Sequence, residues 1–131
     1  MAQKKILVVD DEMDMRFYVC ALLESHGYRT VATRDGKEGL QKARDDCPDL
    51  IILDIMMPGD GGVKMYGGLK ADPSLTQIPV IMLSAVGENS FRHYLAMLNA
   101  QSALPVPDPV AYLEKPVDHE RLLERIRRTI G

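Results

Sequence analysis

The sequence predicts an α/β fold: a doubly wound parallel sheet of five strands with helices on both faces. Two observations carry this expectation. Short apolar runs alternate five times with segments whose apolar residues recur at helical spacing. The apolar runs are continuous rather than alternating, as in strands covered on both faces. A length of 131 residues, 46% hydrophobic and 27% charged, sets the scale at one globular domain over residues 1–131.

Each element follows in order. Ile6–Val9 (ILVV) is the first strand. Residues 13–26 form a helix with Met13, Phe17, Cys20, Ala21, Leu22 and Leu23 at helical spacing, stopped by Gly27. Tyr28–Thr33 (YRTVAT) is the second strand, and 36–46 a helix carrying Leu40 and Ala43 inward, ended by Pro48. Leu50–Leu53 is a third, buried strand. The helix over 62–71 is weakened by Gly67 and Gly68, at about 1 kcal/mol each relative to alanine. Pro79–Leu83 (PVIML) is the fourth strand, 88–99 a helix and Val110–Leu113 (VAYL) the last strand. Asp118 caps a final helix striped by Leu122, Leu123, Ile126 and Ile130. Between the last helices, AQSALPVPDPV (100–110) holds prolines at alternate positions and predicts an extended, stiff connection at about 100–109 rather than helix.

Charge and composition exclude several function classes. A net charge of −3 and a pI near 5.6 argue against direct nucleic-acid binding. The start, MAQKKILVVDDE, is too short in apolar residues for a secretory signal, and no segment approaches a membrane span, so a cytoplasmic location is expected. Cys20 and Cys47 fall in helical stretches and read as small buried hydrophobes, not a disulfide. His26, His93 and His119 are scattered on helices and read as surface residues, while the methionines at 56, 57, 65, 82 and 97 read mostly as core filling.

In open α/β sheets, ligands bind outside the carboxyl ends of the strands. The first strand ends in Asp10-Asp11-Glu12, the third in Asp54, the fourth in Ser84 and the fifth in Lys115-Pro116. With the first and third strands as neighbours, carboxylates crowd one crevice, where they repel unless a counter-ion is present. Mg²⁺ suits oxygen ligands and a bound phosphate. Lys115 and Ser84 add a cation and a hydroxyl beside Asp54, which completes a set suited to phosphoryl transfer onto a carboxylate. Each residue alone has a plainer reading: Asp10 and Asp11 as helix caps, Asp54 as a turn former before Pro58-Gly59, Lys115 as a surface lysine and Tyr112 as a half-buried core residue.

Four stretches taken in this order, ILVVDDE (6–12), LIILDIMMPGDGG (50–62), IPVIMLSA (78–85) and YLEKP (112–116), resemble a response-regulator receiver domain, the CheY-like family of two-component signalling. The resemblance covers the whole chain. It implies a flavodoxin-like strand order 2-1-3-4-5, and Asp54 as acceptor of a phosphoryl group from a sensor histidine kinase or a histidine phosphotransfer protein. Asp10, Asp11, Asp54 and the backbone carbonyl of Met56 would bind Mg²⁺. Ser84 would be the switch hydroxyl, Lys115 the phosphate-binding lysine and Tyr112 the aromatic that changes rotamer. The Lys115-Pro116 bond would be cis, although only about 5–6% of such bonds are. The change would pass to the surface of the fourth helix, fifth strand and fifth helix, which in many receivers also serves a phosphorylation-dependent dimer.

The chain departs from the family in one region. Ser84 and Lys115 stand 31 positions apart, longer than usual, with the extra residues in the proline-bearing stretch, and the usual Gly-Ala pair before the last strand is missing. The insertion is either an adapted partner surface or a tolerated loop, and no family dimer mode transfers onto it. Nor does an output segment follow the last helix, which leaves a stand-alone regulator or part of a longer one. Three other readings fit the sequence less well. An Mg²⁺-dependent aspartyl-phosphate phosphatase usually has a second acid two residues after the nucleophile, where this chain has Met56. A flavin-binding module needs a glycine- and hydroxyl-rich phosphate loop, where this chain has Asp10-Asp11-Glu12. A non-phosphorylated, receiver-like interaction module would have no need of the full acidic, hydroxyl and lysine set.

Overall fold

The computed structural model describes residues 3–55, 57, 61–85, 87–101 and 107–131, with side chains other than those of residues 94, 98 and 101. Five strands alternate with five helices: β1 (Lys5–Val9), α1 (Met13–Ser25), β2 (Arg29–Thr33), α2 (Gly36–Asp46), β3 (Leu50–Leu53), α3 (Gly61–Ala71), β4 (Val80–Ser84), α4 (Glu88–Gln101), β5 (Ala111–Glu114) and α5 (His119–Ile130). All strand pairs are parallel, in the order β2-β1-β3-β4-β5, as the resemblance implies. The central strands β1, β3 and β4 are apolar on both sides because both sides are covered.

Alternate residues of each strand face opposite layers. Leu7, Val9, Ile51, Leu53, Val80 and Met82 pack with Ala43, Met65, Leu69, Phe91 and Leu95 from α2, α3 and α4. Ile6, Val8, Leu50, Ile52, Ile81 and Leu83 pack with Val19, Leu23, Leu122 and Ile126 from α1 and α5. Burying a leucine or isoleucine in this way stabilises by about 1.5–3 kcal/mol, which fixes the register and therefore the level at which every strand ends. Gly68, a liability by propensity, is explained by packing: a Cβ there would lie 3.1 Å from Leu40 Cδ2, so its absence lets α2 and α3 approach.

Several expectations are corrected. In α1, Met13 and Phe17 are 70% and 78% exposed, and the inward face is carried by Val19 and Leu23, flanked by Met15 and Leu22. Two apolar stripes run along this helix at helical spacing, and docking against the sheet selects the second. Cys47 is exposed rather than buried: it is the left-handed C-cap of α2 (φ 46°), which turns it away from the core. Both cysteines are free thiols, Cys20 half-buried. Met57, Met65 and Met82 fill the core, but Met97 is 48% exposed, and Met56 lies outside the described residues. Ala100 and Gln101 continue α4 instead of starting the extended connection, because the prolines that forbid helix come only later; 102–106 lie outside the described residues. The Asp118 cap forms, its carboxylate accepting from the Glu120 and Arg121 amides at 3.0 and 3.3 Å. The three histidines are exposed. Among the described residues no helix is long and apolar enough to cross a membrane.

Candidate functional site

Asp10, Asp54 and Lys115 each stand one position beyond the end of a strand, and each is still held by the ladder. The Asp10 amide donates to the Thr33 carbonyl at 3.2 Å, the Asp54 amide to Val9 at 2.9 Å and the Lys115 amide to Ser84 at 2.8 Å. Sheet register thus places their side chains as firmly as the core residues before them. Lys115 also precedes a cis peptide bond to Pro116, as expected from the resemblance.

The three side chains meet. Lys115 Nζ donates to Asp10 Oδ2 at 2.9 Å, to Glu12 Oε1 at 3.1 Å and to Asp54 Oδ2 at 3.2 Å. Asp10 and Asp54 are each 3% exposed. The lysine side chain is 9% exposed, whereas that of Glu12 is 64% exposed at the mouth. Burial alone would lower the Lys115 pKa, but the Asp10 hydrogen bond, the charge of Asp54, the Glu12 hydrogen bond and the charge of Asp10 together outweigh it and hold the ammonium above the ordinary lysine value.

The acidic set differs in membership from the expected one. One carboxylate oxygen each from Asp10, Glu12 and Asp54 lies within 4.8 Å of the others. Asp11 is exposed and does not join them, and Met56 lies outside the described residues. Residues 10–12 leave the sheet in a bend that brings Glu12 to Lys115 and leaves Asp11 exposed. Asp10 Oδ1 also accepts from the Glu12 amide at 2.9 Å, which fixes that turn, and Arg16 Nη1 donates to the Asp10 carbonyl at 2.7 Å. The donor chemistry fits Mg²⁺: all three groups are hard oxygen donors, and three carboxylates against one ammonium leave the charge that one divalent cation balances. Composition and spacing signalled an acid at position 12 but gave no reason to set it above Asp11.

Ser84 is fully buried at the end of β4. Its hydroxyl is hydrogen-bonded to Tyr112, whose ring stacks on Phe91 with centroids 4.6 Å apart and planes at 22°. Burial raises the Tyr112 pKa, the Ser84 hydrogen bond lowers it, and the charges of Glu114, Asp54 and Glu88 raise it further.

Gly62, unremarkable in the sequence, is a positioning residue. A Cβ on it would stand 2.2 Å from the Asp54 carbonyl oxygen and 2.5 Å from Ile55 Cα, while its amide donates to the Ile55 carbonyl at 3.1 Å. The start of α3 rests directly on the peptide that carries Asp54. Gly62→Ala is expected to destabilise by about 3 kcal/mol and to displace Asp54 from Lys115. A denaturant midpoint unchanged from wild type would show that this contact does not position the carboxylate.

Comparison with known proteins shows the family. Residues 6–127 match the family model of the response regulator receiver domain. Curated relatives include the polar-differentiation response regulator DivK of Brucella ovis and that of Brucella anthropi. Each is 34% identical over 131 residues, covering all of this chain and 98% of the relative. Among solved structures, the chemotaxis protein CheY4 of Vibrio cholerae superposes with a TM-score of 0.83 at 27% identity, over 98% of this chain and 99% of that one. This chain belongs to the response-regulator receiver domains of two-component systems.

Proposed function

We propose that Asp54 is the phosphoryl acceptor of this receiver. The observation that carries the reading is the convergence of a buried carboxylate, a second buried carboxylate and a buried ammonium from three strand ends onto one point. One Asp54 carboxylate oxygen attacks the phosphorus of a phosphohistidine on a sensor kinase or phosphotransfer protein, and the imidazole leaves with the electrons of the broken P–N bond. Lys115, already on Asp54 Oδ2, turns its ammonium to the phosphoryl oxygens as charge develops there. Asp10 and Asp54 would hold Mg²⁺ together with Asp11 and the Met56 carbonyl, the set the family implies, with Glu12 at the mouth. Bound there, the ion supplies positive charge against the phosphoryl oxygens. The chain is a switch that assists its own phosphorylation and dephosphorylation rather than an enzyme turning over a separate substrate, and it works in the cytoplasm. A phosphorylation-dependent dimer would be a further state of the same switch.

The acyl phosphate adds nearly two negative charges and strong acceptor oxygens. Moving a two-state equilibrium from 1:99 to 99:1 takes roughly 5.5 kcal/mol, and charge-assisted hydrogen bonds contribute about 1.5–3 kcal/mol each. Two or three contacts, from Ser84, Lys115 and backbone amides, therefore suffice. Ser84 exchanges its partner Tyr112 for the phosphoryl group, and Tyr112 moves into the space released, which alters the face formed by α4, β5 and α5. The experiment is incubation with a small phosphodonor and Mg²⁺, followed by intact mass. A labile gain of one phosphoryl group supports the reading, and turnover of a phosphate ester would favour an enzyme instead. Tyr112→Ala should retain that gain yet lose phosphorylation-dependent partner binding. An affinity difference equal to that of wild type would exclude Tyr112 as the coupling residue.

A further inference from the structure

The described end of the proline-bearing insertion is tied into the core. Tyr66, from α3 and 1% exposed, donates its hydroxyl to the Pro107 carbonyl. Burial, and then the charge of Asp108, pushes its pKa above the ordinary tyrosine value. The next residues are held as well: the Val110 amide donates to Val80 at 3.0 Å and the Val110 carbonyl accepts from Arg125 Nη2 at 2.7 Å.

The far wall of Tyr66 leads back to the switch. Tyr66 and Phe91 line one narrow void with Met82 and Leu95, too small to admit water. Phe91 stacks on Tyr112, and Tyr112 is hydrogen-bonded to Ser84. Bonded and packed neighbours therefore run from Ser84 through Tyr112 to Phe91, and across the core cluster that Phe91 shares with Tyr66 to Pro107. Most packed cores resist a displaced ring. Here the void is too small to absorb such a displacement, so a Phe91 ring that follows Tyr112 presses on Tyr66. Tyr66 cannot then shift alone, because a buried hydroxyl parted from Pro107 would be left without the partner that offsets its desolvation. The hydroxyl and the backbone of the segment move together or not at all.

We infer that the Pro107–Val110 segment ahead of β5 is a second output of the switch, driven through Phe91 and latched by the Tyr66 hydroxyl. This rests on the reading of Asp54 and Ser84 given above. It makes Pro107–Val110 a reporter of phosphorylation state rather than a passive connection.

The test is an amide correlation spectrum of the full chain, recorded with and without beryllofluoride and Mg²⁺ as the phosphoryl mimic. The Asp108 amide shares its peptide plane with the Pro107 carbonyl and so reports the latch. In wild type the mimic should move both the Ser84 and the Asp108 signals. In Tyr66→Phe, which keeps the ring and removes only the hydroxyl, the Asp108 response should be lost while the Ser84 response persists. Phe91→Leu should give the same split by breaking the stack, which keeps the test decisive if one variant folds poorly. A wild-type Asp108 signal that ignores the mimic while Ser84 responds would overturn the inference and leave the phosphoryl-acceptor reading intact, as would an undiminished Asp108 response in both variants. No response at either residue would overturn both.

Discussion

Asp54→Asn is expected to abolish the gain of one phosphoryl group under conditions in which the wild-type protein is fully modified. The amide cannot act as the nucleophile, and the neighbouring carboxylates Asp10 and Glu12 are engaged by Lys115 and would serve the metal rather than the phosphoryl group. The same substitution removes one of the three oxygen donors in the acidic group, so it should also weaken stabilisation by Mg²⁺. A ligand present at 100 times its dissociation constant stabilises by about 2.7 kcal/mol. Thermal midpoints with and without Mg²⁺ should therefore separate clearly for wild type and much less for the variant. A full mass gain in Asp54→Asn would place the acceptor elsewhere, and an unchanged Mg²⁺ response would remove Asp54 from the metal set.

Lys115→Met should destabilise the metal-free protein by about 3–5 kcal/mol at neutral pH, the usual consequence of removing one partner from a buried ionic cluster. Asp10 and Asp54 are both buried and both depend on this ammonium. Added Mg²⁺ should recover much of the loss, because it supplies the missing positive charge, but not phosphoryl uptake, which needs the lysine on the transferred group. The sign of the pH dependence follows from the raised Lys115 pKa. A group held above its unfolded value contributes stability that is complete below that value, about 10.4 for lysine, and is lost as pH rises through the folded one. Wild-type stability should thus hold from neutrality to about pH 10 and fall beyond it, with Lys115→Met lacking its share of the alkaline decline. Tyr66 carries the same sign, since its pKa is raised too. Urea midpoints across the alkaline range check both. A variant as stable as wild type without metal would mean that the carboxylates are relieved by something other than Lys115.

Reading the strands from the sequence worked because burial on both faces leaves a continuous apolar run, and such a run has few other uses. Candidate ligands stood at or just past the ends of the first, third, fourth and fifth runs, and Asp10, Asp54 and Lys115 do meet. The face of α1 was legible only as a choice between two stripes, since Met13 and Phe17 satisfy helical spacing as well as Val19 and Leu23 do. Glu12 was visible as an acid, but its return to the site depends on the turn after β1. Gly62 and Tyr66 carried no local signal at all.

By itself, then, the sequence determined the order of elements, the layers and the residues that stand at the strand ends, because periodicity and strand length are local properties of the chain. Tertiary structure alone decided that Glu12 rather than Asp11 faces Lys115, that α3 rests on the peptide of Asp54 and that Tyr66 holds Pro107. Those outcomes depend on which side chains remain accessible once two layers close on a sheet, and that is set by packing between residues far apart along the chain.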